Sequence, residues 1–99
     1  MVNGVIQMTE ITITLTDAQL KGLEYAAVSP QEWCENAILN RATVSIDDIV
    51  QRYTARALDE GVSIPATRDE IVTDAFARGW VRTAAEVEAD AEAERAERA

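Results

Sequence analysis

Apolar and polar residues alternate near the start of the chain, then settle into a period of three to four. Over Glu10–Thr16 (EITITLT), Ile11, Ile13 and Leu15 face one way and Thr12, Thr14 and Thr16 the other. β-Branched residues at period two predict a strand. Beyond it the pattern is helical. Leu20, Leu23 and Ala27 form one stripe, predicting a first helix from Asp17 to Val28. Gly22 weakens it by about 1 kcal/mol relative to alanine. From Pro30, the stripe Cys34, Ile38, Ala42, Ile46, Ile49, Tyr53, Ala57 stays in phase to Glu60. That unbroken phase predicts one long second helix, although Ser45–Asp48 offers a cap that would split it. Ile71, Val72, Ala75 and Phe76 predict a third helix over Arg68–Arg78, after which Trp80 and Val81 fold back onto the core. A fourth helix begins after Thr83 and is almost all alanine, glutamate and arginine. Val87 is its one large apolar residue, and Glu88 and Glu92 repel at i, i+4, so it is expected to be solvated and to fray towards Ala99.

The helix starts carry their own marks. Thr16…Gln19, Ser29…Glu32, Thr67…Glu70 and Thr83…Glu86 all fit the capping box, in which the hydroxyl accepts from the N3 amide and the N3 side chain returns to the cap. Pro30 stands at a first helical position, where its missing N–H costs nothing. Gly61 is a natural helix stop, and Pro65 keeps Val62–Ala66 out of a helix.

The reading is therefore mainly α: one N-terminal strand followed by three to four helices, with a ribbon-helix-helix-like start and a long second helix. In domain terms, residues 1–8 form a flexible extension, with Met8 as a possible alternative start. Residues 9–82 form the helical domain, and 83–99 an acidic Ala/Glu-rich helix or tail. A lone strand leaves its amides and carbonyls without partners. Val2–Ile6 offers only a weak mate, because Gly4 interrupts it. The expected solution is pairing between chains, either with a second copy or with a different protein.

Charge narrows the partners. The net charge is −9, with no histidine. Residues 83–99 set six acids against Arg95 and Arg98, and residues 30–60 set six against Arg41, Arg52 and Arg56. No segment is basic, which disfavours nucleic acid and anionic membranes. No apolar stretch approaches a membrane span and no signal peptide is evident, so use in the cytoplasm, or inside a particle assembled there, is expected.

Catalytic chemistry is sparse. Without histidine there is no ready acid–base group, and no phosphate-binding loop or nucleophile elbow is present. Cys34 is the only cysteine; it excludes an intrachain disulfide and reads as a small hydrophobe. Asp47–Asp48 and Asp59–Glu60 are sequence neighbours on a helix and do not converge on one site. No cofactor, metal or enzymatic activity is expected. Trp80 reads as core, sealing the end of the third helix, while Trp33 fits a core or an interface anchor equally.

The order strand, short helix, tight turn, second helix, with ITITLTDAQLKGLE (Ile11–Glu24), resembles the ribbon-helix-helix proteins over Glu10–Arg41. That resemblance implies DNA reading through Glu10, Thr12 and Thr14, but Glu10 stands where a basic residue belongs and the surrounding segment is acidic. ITITLTDAQ, Ser29–Trp33 (SPQEW) and Gly79–Glu86 (GWVRTAAE), with the Ala/Glu-rich end, also resemble small acidic proteins of tailed bacteriophages. This implies a virion or morphogenesis component. The leading expectation is thus a structural protein that contacts itself or larger virion proteins, with Ile11, Ile13 and Leu15 at the interface and Trp33 and Ile38 beneath them. The alternatives are a ribbon-helix-helix regulator, or an antitoxin-like adaptor whose acidic tail meets a basic partner.

Overall fold

The computed structural model describes residues 8–98, and four helices lie within them: α1 (Asp17–Ala26), α2 (Pro30–Glu60), α3 (Arg68–Ala77) and α4 (Ala84–Arg98). The chain divides into two compact units, Met1–Ala37 and Ile38–Ala99, and α2 runs through the boundary. No helix among the described residues is long and apolar enough to cross a membrane.

The N-terminal strand is not formed. Residues 8–16 belong to no helix or strand, and Ile11, Ile13 and Leu15 are 75%, 62% and 40% exposed. A strand exists through its ladder, and no other segment of the described residues pairs with this one to complete it. Period-two alternation marks a segment with an apolar face; it does not supply the mate. The ribbon-helix-helix-like start therefore lacks its ribbon, and only the helix–helix order remains. The weak mate Val2–Ile6 and nearly all of the 1–8 extension lie outside the described residues; Met8 is exposed.

The caps form where the residues call for them. Thr16 Oγ1 accepts from the Gln19 amide at 3.1 Å, and Gln19 Oε1 accepts from the Thr16 amide at 2.9 Å. Thr83 and Glu86 close an equivalent pair: Thr83 Oγ1 accepts from the Glu86 amide at 3.1 Å, and Glu86 Oε1 accepts from the Thr83 amide at 3.0 Å. Ser29 and Thr67 each accept from the N3 amide. Ser45 caps nothing, because α2 is continuous through it. Asp48, which would close that box, instead accepts from Arg52 at 3.0 Å, one turn on. Thr43 and Val44 cost only a few tenths of a kcal/mol each in helix propensity, too little to break a stripe that stays in phase.

The core lies in the second unit and is small. Tyr53 and Ala57 of α2 meet Ile71 and Ala75 of α3, with Ile49, Val50, Val62, Trp80 and Val81 packed around them. Arg68 pairs with Asp47, and Tyr53 with Asp74, so the contacts advance together along both helices. The two helices therefore run in the same sense. Gly61–Thr67 must then return from Glu60 towards the level of Asp47, roughly 20 Å at 1.5 Å per helical residue. At about 3.3–3.6 Å per residue, seven residues barely reach that far. An extended connector containing Pro65 suits the task, and a helical one would fall short.

Two glycines aim side chains at this core. Gly61 (φ 70°) and Gly79 (φ 73°) adopt the left-handed conformation that ends a helix. The Val62 amide then donates to Ala57 O at 2.9 Å, and the Trp80 amide to Ala75 O at 3.0 Å. Both bonds turn the chain so that the next residue, Val62 or Trp80, lands on the core.

Candidate interaction surface

From Met8 to Val44 no residue is buried. The stretch nevertheless carries eleven exposed large apolar side chains, from Met8 through Tyr25 and Val28 to Leu39 and Val44. Exposed apolar surface of this kind, where contiguous, is uncommon on soluble monomers, which makes the stretch the candidate for an interaction surface.

The residues expected at the interface are all exposed, and none joins the core cluster. Ile11, Ile13 and Leu15 precede α1, and Trp33 (54% exposed) occupies the first turn of α2. Ile38 (47%) lies one turn and a residue beyond Trp33, at the start of the second unit. Cys34, the residue of α2 after Trp33, is half-buried. Tyr25 (95%) and Val28 (107%) are more exposed than any of the expected five. The stripe Leu20–Leu23–Ala27 drew attention away from them. For Tyr25 the signal was that α1 is apolar on a second face as well: at 100° per residue, Ala18, Gly22, Tyr25 and Ala26 share it, whereas Val28 lies beyond the helix.

The second unit concentrates its polar chemistry around Trp80. The Tyr53 hydroxyl donates to Asp74 Oδ2 at 2.5 Å, and Arg78 Nε donates to the same oxygen at 2.6 Å. Trp80 tilts against Tyr53 with ring centroids 5.0 Å apart. Arg56 and Arg78 lie over the indole at 4.8 and 5.2 Å, close enough for cation–π attraction. The hydrogen bond to Asp74 holds the Tyr53 hydroxyl above its ordinary pKa, helped by burial. The same hydroxyl, followed by Arg78, holds the Asp74 carboxyl below its own. The arrangement locks Trp80 across the end of α3, which is the core role expected for it. Sequence reasoning found Tyr53 and Trp80 but not Asp74, whose only marker was Arg78 four residues on.

Beside Trp80 lies a shallow, solvent-open groove of about 370 Å³, floored by Ile49, Phe76, Val81 and Val87 and edged by Arg52 and Arg82. Its charged groups are already engaged: Arg52 with Asp48 at 3.0 Å, and Arg82 with Asp90. On α4, Glu88 is drawn to Arg95 at 3.2 Å, which offsets its repulsion by Glu92. No group of three or more ligating side chains converges on a metal-sized site among the described residues.

Comparison with protein-family models, with curated proteins and with solved structures finds no match.

Proposed function

We propose that this protein works through contacts with other proteins, as a non-catalytic structural or assembly component. The observation that carries the reading is the run from Met8 to Val44, which is rich in large apolar side chains and contains no buried residue. Each of those side chains gains roughly 1.5–3 kcal/mol when fully removed from water. Within the chain that gain is largely unrealised, and a partner supplies it. The likeness of ITITLTDAQ, SPQEW and GWVRTAAE to small tailed-phage proteins supports a particle or its assembly as the setting. No observation favours the DNA-binding alternative: its paired strands are not formed, and Glu10 sits beside the threonines that would read bases.

The test replaces Ile11, Ile13 and Leu15 together by serine. Helical circular dichroism and the thermal midpoint are expected to stay unchanged, because none of the three packs on the core cluster. Complexes with proteins encoded beside this one, isolated by size-exclusion chromatography with light scattering, are expected to be lost. Loss of helical signal in the variant, or undiminished complexes, would refute the reading.

A further inference from the structure

We draw no further inference here: the strongest candidate, the exposed apolar face of α1 formed by Ala18, Gly22, Tyr25 and Ala26, belongs to the interaction surface already described, and nothing in the structure shows what covers it.

Discussion

Replacing Gly79 by alanine isolates one feature of the second unit, the left-handed residue that delivers Trp80 to the core. At φ 73° an L-residue other than glycine costs about 1–2 kcal/mol. Space is not at issue, because a Cβ at this position meets nothing within 4 Å. Alanine also restricts the unfolded chain, returning about 0.4–1 kcal/mol. The expected net loss is about 1 kcal/mol. The alternative, residue 79 leaving that conformation, would forfeit the Gly79 amide bond to Phe76 O (3.1 Å) and the Trp80 bond to Ala75 O, and is worse. The second unit spans Ile38–Ala99, a size at which 1 kcal/mol lowers the melting temperature by about 4–8 °C. Thermal unfolding followed by circular dichroism and tryptophan fluorescence reads the shift. Gly79→Asn, which tolerates the left-handed region better, is expected to lose less than half as much. Gly61→Ala, at φ 70° with equally open space, is expected to match Gly79→Ala. Gly22→Ala, inside α1, has the opposite sign: about 1 kcal/mol of helix propensity gained, read as added ellipticity at 222 nm. Three glycine-to-alanine changes of the same sign, or Gly79→Asn falling below Gly79→Ala, would refute the reasoning.

The two tryptophans are expected to part company. Trp80→Ala removes a half-buried ring from the core edge and is expected to cost roughly 2–3 kcal/mol, below the range for fully buried aromatics. Trp33→Ala is expected to stay within about 0.5 kcal/mol; chemical denaturation measures both, and similar losses would place Trp33 in a core. Towards acid, Asp74 (held low by Tyr53, then Arg78), Glu86 (by the Thr83 amide and hydroxyl) and Asp90 (by Arg82) all have folded pKa values below their ordinary ones. Their contribution is present above the unfolded carboxylate range near 4 and is lost as pH falls through the folded values. The urea midpoint should therefore drop below about pH 4, and Asp74→Asn should flatten that drop; an unchanged pH profile would count against the network. Tyr53 runs the other way. Its contribution is present below the ordinary tyrosine pKa and is lost as pH rises through the folded value. Tyr53→Phe should remove a late phase from the alkaline absorbance titration at 295 nm.

The helices were legible in the sequence because their signals are local. Each of the four starts combines a hydroxyl with an N3 Gln or Glu, and all four hydroxyls accept the bond expected of them. Gly61 and Gly79 fall where helices stop because only the backbone conformation matters there. The continuity of α2 through Ser45 followed from phase alone. The strand failed for the converse reason: Ile11–Leu15 specifies a face, whereas a ladder is decided by a second segment that pairs with it, and none of the described residues does. The candidate surface was half legible. Alternation at Ile11, Ile13 and Leu15 exposed their apolar character, but reading Leu20–Leu23–Ala27 as the face of α1 hid Tyr25. Asp74 was not legible because its value lies in reaching a tyrosine 21 residues away.

The smallness of the core reaches into the heat capacity. Unfolding a typical globular chain raises it by about 12–15 cal/mol/K per residue, mostly from apolar surface newly wetted. Here Tyr53, Ala57, Ile71 and Ala75 are the buried hydrophobic residues among those described, so much of that surface is wet before unfolding begins. The increment should fall well below the norm, and with it the curvature that gives a protein a sharp temperature of greatest stability. The free chain is then expected to have a shallow stability curve, nearly indifferent to moderate cooling. A partner that covers Met8–Val44 would bring the missing increment with it, and the complex would regain the steep thermal response that the single chain lacks.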